Sequence, residues 1–426
     1  MIRKIVALVI IAVVLFSSFS MSAVAFELDY DEASADGYYL YNFEYDLVMA
    51  QDGIDLPISP SSTVKIMTAC VVLESGISAD KTVTITSEMI KGVTGRFMGL
   101  KAGEKLTVED LLYATVCGGF NDAAQALAIA TCGSMTEFIE KMNSKAKELG
   151  MTATRYENVT GMYHSEMVTT IGDIAILAKY MSKNEYFVAM AATKSYSISK
   201  SATCSLTAIN NRSSLLASYK GMSNFNTGSG NDGDCAVLFY QSKELSYLTI
   251  VMNAKSNDDN KNYAERFSTQ LLSHAINDYS NQTILTTQNV VTTMPVQYSV
   301  SADDTNLYLA NDLTLFLSEE IDVQEDLAYN VYIYGDVIKA PLKSGDTVGE
   351  LIVSLDGEVL ATVPLIVKTD VERNGFLYFM EIMRTYVLSR AFIISLVCFV
   401  VILIVYYLVH KQKMKKIYQR RQRNKK

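Results

Sequence analysis

Nineteen consecutive residues near the C-terminus, AFIISLVCFVVILIVYYLV from Ala391 to Val409, carry no charge. As a helix rising about 1.5 Å per residue, such a run nearly crosses a hydrocarbon core of about 30 Å. So uniform a stretch is seldom the core helix of a soluble domain, and it predicts a transmembrane helix at 391–409. Residues 410–426 follow as HKQKMKKIYQRRQRNKK, with nine lysines and arginines and no acid. A basic flank stays cytoplasmic, which puts the bulk of the chain outside. The other end agrees. Residues 1–25 set Arg3 and Lys4 before an apolar stretch and finish on Ala23-Val24-Ala25, the layout of a secretory signal peptide cleaved near Ala25. The expected protein is an extracytoplasmic ectodomain held in the cell membrane by one C-terminal span.

Charge narrows the partners. The chain carries −9, and setting aside the nine tail cations and the two of the leader leaves −20 on the exported part. An acidic exterior argues against nucleic acid. The cysteines outside the span (Cys70, Cys117, Cys132, Cys204 and Cys235) are odd in number, scattered and without a C-x-x-C. That is a poor disulfide framework, and buried free thiols fit better. No His/Cys cluster suggests a metal, no cofactor is expected, and three histidines in all make a histidine-based triad strained.

Two domains are expected before the membrane. Residues 26–283 mix helix and strand signals. TVEDLLYATVCGGFNDAAQALAIATC and MTEFIEKMNSKAKELG carry apolar residues at three- and four-residue intervals. Thr107 with Glu109 and Asp110 starts the first, and Gly150 ends the second. DCAVLFYQ and SYLTIVMNA read as adjacent strands across a polar turn at Ser242-Lys243-Glu244, and ERFSTQLLSHAINDY as a closing helix. The pattern is α+β, with helices around an antiparallel sheet. Residues 284–370 are richer in Thr, Val, Ile and Tyr, with turn signals at Lys343–Asp346 and Asp356-Gly357, and predict a small all-β domain. Residues 371–390 connect it to the span.

Chemistry enters at ISPSSTVKIMTAC, Ile58 to Cys70. Ser62 and Lys65 stand three apart, so on a helix one lies above the other. A serine hydroxyl becomes a nucleophile when a neighbouring base takes its proton, and burial can leave a lysine neutral enough to be that base. The same spacing also describes a capping serine followed by a solvated lysine. Ser-x-x-Lys occurs four times, from Ser62, Ser78, Ser144 and Ser197. Lys81 follows a loop, Lys147 lies on a charged helix face and Lys200 follows an exposed-looking segment. Only Ser62 precedes an apolar, buried-looking helix.

SPSSTVKIMTA, FMGLKAGEKLTVEDLLYATV, NDAAQALA and FIEKMNSKAKELGMTATRYENVTG together resemble the D-alanyl-D-alanine carboxypeptidases, the low-molecular-mass penicillin-binding proteins with a β-lactamase/transpeptidase-like fold. The likeness covers roughly residues 38–275; APLKSGDTVGELIVSLDGEVLATVPL resembles the family's C-terminal domain. Three active-site motifs are implied: Ser-x-x-Lys, Ser-x-Asn and Lys-Thr-Gly. By this resemblance Ser62 attacks the penultimate D-alanine carbonyl of a peptidoglycan stem peptide and Lys65 is its base. The backbone N–H groups of Ser62 and Ser229 form the oxyanion hole, and β-lactams are covalent inhibitors.

Two motifs depart from the pattern. Asn121 is kept, but Gly119 replaces the serine whose hydroxyl passes protons in the family. Thr227 and Gly228 are kept, but Asn226 replaces the lysine that meets the substrate carboxylate and helps keep the Ser-x-x-Lys amine neutral. Asn226, Thr227 and Gly228 are the expected substrate-binding residues. Lys220, six residues earlier, is a candidate source of the missing charge. Lys343-Ser344-Gly345, the one Lys-Thr/Ser-Gly match in the chain, is expected to be only a turn in the β domain. Two readings stay open: a working serine-type carboxypeptidase with weakened activity, and an impaired homologue that binds wall peptides or a protein without turnover. A β-lactamase is a weaker third.

Overall fold

The computed structural model describes residues 35–423 except 201, 231, 256–261, 302 and 336. The leader at 1–25 lies outside the described residues. The described residues form two compact units: those within 35–282 with 316–326 and 355–360, and those within 283–315, 327–354 and 361–423.

The first unit is built on an antiparallel sheet of β1 (Gly37–Asn42), β2 (Leu47–Asp52), β3 (Met222–Gly230), β4 (Gly233–Gln241) and β5 (Ser246–Ala254). Their spatial order is β2-β1-β5-β4-β3. Successive strand residues point to opposite faces, and here both faces are covered. Tyr39, Tyr41, Val237, Phe239, Ile250 and Met252 pack into one core cluster. Leu40, Leu238 and Val251 pack into another, against Phe267, Leu271 and Leu272 of the helix Tyr263–Asn277. Every residue of β5 is consequently buried.

Helix α1 (Val64–Glu74) lies within the larger cluster, and Val64 through Val72 are all buried. A helix apolar on all sides belongs in a core. The expected helical stretch around 107–132 is two helices, α2 (Val108–Val116) and α3 (Asn121–Cys132). A capping box opens α2: Thr107 Oγ1 accepts from the Asp110 N–H at 3.0 Å and Asp110 Oδ2 accepts from the Thr107 N–H at 2.8 Å. The break comes at Gly118-Gly119, where Gly119 takes φ +66°, a conformation that favours glycine. The turn brings the start of α3 beside the start of α1. Gly150 closes the helix Met135–Leu149 as expected.

In the second unit, six strands pair in one sheet: Leu327–Ile333, Thr347–Leu355, Glu358–Val367, Asp304–Leu309, Val290–Gln297 and Ile338–Lys339, in that spatial order. Lys343-Ser344-Gly345 is a turn there, with the Asp346 N–H donating to the Lys343 carbonyl at 2.9 Å. The segment before the span is a helix, α4 (Gly375–Val387), with no buried residue. It leads into α5 (Arg390–Arg423). Within α5, Arg390–Ile417 is the one helical stretch among the described residues long and apolar enough to cross a membrane. The α+β class, the following β domain and the C-terminal apolar helix are therefore as expected.

Candidate active site

Ser62 sits on a single 3₁₀ turn, Ser61–Thr63, that runs into α1. Pro60 opens that turn, where its missing N–H costs nothing. Ser61 is held at φ +48°, a strained conformation for a residue with a Cβ, of the kind that collects at functional sites. The Ser62 hydroxyl donates to Asn226 Oδ1 at 2.7 Å and lies 3.3 Å from Cys235 Sγ. Strand β3 passes very close behind it. A Cβ on Gly228 would stand 1.8 Å from Ser62 Oγ, so only glycine fits there.

Lys65 is 3% exposed. Its amine donates to the Thr160 carbonyl at 2.6 Å rather than to Ser62. Burial pushes its pKa down to about 7; the Arg212 charge adds to the fall and Cys235 partly opposes it. At neutral pH a substantial fraction of this amine is thus unprotonated. Lys81, Lys147 and Lys200, the partners of the other three serines, are all exposed.

Asn121 opens α3, and its Nδ2 donates to the Thr94 carbonyl at 2.7 Å. Neighbouring Asp122 accepts from the backbone N–H groups of Met98, Gly99 and Leu100, at 3.0, 2.9 and 3.0 Å. Together these fix the loop over the site to the start of the helix. On β3 the register against β4 shifts between Asn224 and Asn226, a bulge that re-aims the side chain of Asn226. Thr227 is buried, its hydroxyl 2.6 Å from Asn224 Oδ1 and 3.1 Å from Glu265 Oε1.

Ser62, Lys65, Gly119, Asn121 and Ser229 line one cavity of about 360 Å³. Asn226, Thr227 and Gly228 lie behind its wall. Lys220 is exposed and lines a different groove with Lys183 and Lys194. Besides Lys65, Arg96 lines the Ser62 cavity, and so does Arg212. Its local sequence, NNRSSLL, gives no hint of this. Thr160 and Cys235 were likewise unmarked in the sequence, because their places depend on which strands and loops come to lie against Ser62.

A family model described as D-alanyl-D-alanine carboxypeptidase matches residues 24–256, and one described as penicillin-binding protein 5, C-terminal domain, matches 279–373. The D-alanyl-D-alanine carboxypeptidase DacF of Bacillus subtilis is 27% identical over 330 residues, which is 76% of this chain and 82% of DacF. DacC of Escherichia coli is 27% identical over 381 residues, 84% of this chain and 90% of DacC. Among solved structures, the carboxypeptidase DacD of Francisella tularensis superposes with a TM-score of 0.59 at 21% identity, over 85% of this chain and 98% of its own. Penicillin-binding protein 5 of Haemophilus influenzae gives 0.57 at 19% identity, over 82% and 100%. At these identities, the two structures speak for the fold alone.

Proposed function

Given that this chain belongs to the D-alanyl-D-alanine carboxypeptidase family, we propose that it removes the terminal D-alanine from peptidoglycan stem peptides through an acyl-enzyme on Ser62. The observation that carries this reading is the cavity holding Ser62, a buried Lys65 with a pKa near 7, and Asn121 together.

In the proposed reaction, Ser62 Oγ attacks the penultimate D-alanine carbonyl while the neutral Lys65 amine takes the hydroxyl proton. The N–H groups of Ser62 and Ser229 hold the resulting oxyanion. Collapse breaks the peptide C–N bond, the amine of the terminal D-alanine leaves with the proton from Lys65, and water then cleaves the Ser62 ester. Penicillins would acylate the same oxygen. The apolar helix Arg390–Ile417 supports a single-pass anchor; we take the ectodomain as extracytoplasmic and the basic tail as cytoplasmic.

Slow turnover is favoured by a specific feature. At rest the Ser62 hydroxyl is bonded to Asn226 and the Lys65 amine to Thr160, so the hydroxyl must turn from Asn226 to the amine before a proton can pass. With Gly119 there is no hydroxyl to relay it, and loss of an acid–base group typically costs about 10²–10⁴ in rate. Incubation with a D-Ala-D-Ala pentapeptide tests the reading: free D-alanine, released slowly but catalytically and absent from Ser62→Ala, is expected. One equivalent or none would put the impaired, binding-only alternative in its place.

A further inference from the structure

Glu265 is a carboxyl group buried behind β3, and the atoms around it determine where its proton is. It lies in the first turn of the helix Tyr263–Asn277 and is 7% exposed. The amides leading to it can be oriented one after another. Asn211 Nδ2 faces the carbonyls of Ala191 and Thr193 at 3.2 and 3.1 Å, so that atom has to be the nitrogen. Asn211 Oδ1 then accepts, and the group 2.8 Å from it is Asn224 Nδ2. That leaves Asn224 Oδ1 to accept from the Thr227 hydroxyl at 2.6 Å. A hydroxyl has one proton, and Thr227 gives its proton to Asn224. Glu265 Oε1 stands 3.1 Å from the same Thr227 oxygen. If Glu265 were ionised, two oxygens would face each other in a buried place with no proton between them, which is costly. A neutral acid fits instead: it donates from Oε1 to Thr227, while Oε2 faces the Ser214 hydroxyl at 3.5 Å. Burial acts in the same direction and raises the Glu265 pKa, against the opposing pull of the Ser213, Thr227 and Ser214 hydroxyls and the Arg212 charge.

We propose that Glu265 is a protonated positioning residue, which at neutral pH donates to Thr227 and heads a one-way chain of hydrogen bonds, Glu265 to Thr227 to Asn224 to Asn211. The chain holds β3 on either side of Asn226, at the bulge between Asn224 and Asn226. Asn226 Oδ1 in turn accepts from Ser62 Oγ at 2.7 Å, so the chain sets where the nucleophile rests. The chain is whole while Glu265 keeps its proton and is broken at its head as pH rises through the pKa of that carboxyl. The effect on rate rests on the reading of Ser62 as the nucleophile; the proton on Glu265 does not.

Infrared difference spectroscopy of the full-length chain in detergent reads the proton directly, and penicillin acylation over the same pH range reads its consequence. The parent minus Glu265→Gln spectrum at pH 7 should contain the carbonyl band of a protonated carboxyl, which shifts in heavy water and gives way to a carboxylate band at higher pH. A neutral hydrogen bond corresponds to roughly 2- to 12-fold. Glu265→Ala, which removes the donor, should acylate more slowly by about that factor at pH 7. Glu265→Gln should recover the loss, because its amide donates to Thr227 at one end and accepts at the other without a proton to lose. The ratio of the Glu265→Gln rate to the parent rate should then climb with pH as the acid band disappears. If Glu265→Ala fails to fold, Thr227→Val carries the same test: acylation slows and the Glu265 band moves, because the acid has lost its acceptor. A folded parent without the acid band at pH 7, a Glu265→Ala variant that acylates like the parent, or a band that vanishes with pH while the rate ratio stays flat overturns the inference. The band in a parent that forms no penicillin adduct supports the assigned proton and overturns the Ser62 reading instead.

Discussion

In the proposed mechanism the residue that decides the chemistry is Lys65, because its amine must be neutral to take a proton. Burial and the Arg212 charge set its pKa near 7, and Cys235 is the other titratable group acting on it. Below that pKa the amine is protonated and idle, so penicillin acylation of the full-length protein should rise as pH increases through about 7. Arg212 itself lies within the fields of Arg96, Cys235, Glu265 and Asp234. Removing its cation with Arg212→Gln makes the charged form of Lys65 easier to hold, so the rising limb should move to higher pH. A limb that stays put would mean that burial alone sets the base. At Gly228, alanine would press on Ser62 Oγ, and misplacing a reacting atom by about 1 Å can cost 10²-fold. Gly228→Ala should therefore acylate about 100 times more slowly than the parent in a stopped-flow assay. Ser62 and Lys65 were legible because the motifs around them keep family order. Arg212 was not, because it reaches the cavity by packing against the turn at Gly119, which is 93 positions away in the chain.

At the scale of elements, the sequence conveyed the helical period around 107–132 but hid the break in it. CGGF interrupts a run whose apolar spacing continues on both sides, and the turn is visible only as the left-handed Gly119. That break is what carries Asn121 to the cavity. The cap before it was readable from Thr107 and Asp110, and Thr107→Ala should destabilise the domain by about 0.5–2 kcal/mol in urea unfolding. Asp122 has a larger burden, since three N–H groups of the overlying loop depend on its carboxylate. Asp122→Ala leaves them without that acceptor, and about 1–3 kcal/mol of stability should be lost even if only one stays dry. An unchanged unfolding midpoint would show that water replaces the carboxylate without penalty. The β-bulge that turns Asn226 towards Ser62 had no local signature, because register shifts depend on the partner strand.

For the whole molecule, composition was most informative at the C-terminal end and least informative where distant segments return to the first unit. The apolar run at 391–409 and the β-rich stretch after 284 were plain in the sequence. The return of residues 316–326 and 355–360 to the first unit was not, since it follows from packing between distant segments. An exposed helix at Gly375–Val387 also stands where the sequence suggested only a connector. The proposed topology predicts that protease added outside sealed cells removes the ectodomain while a C-terminal tag on the basic tail survives. Loss of the tag from intact cells would reverse the orientation.

The central claim is that Ser62 is a competent nucleophile in spite of Gly119 and Asn226. Intact-protein mass spectrometry after incubation with a penicillin measures that directly. One covalent adduct per chain, mapped to the Ser62 peptide and absent from Ser62→Ala, is the predicted result. An unmodified protein after prolonged exposure to saturating penicillin, or an adduct that persists in Ser62→Ala, would contradict it.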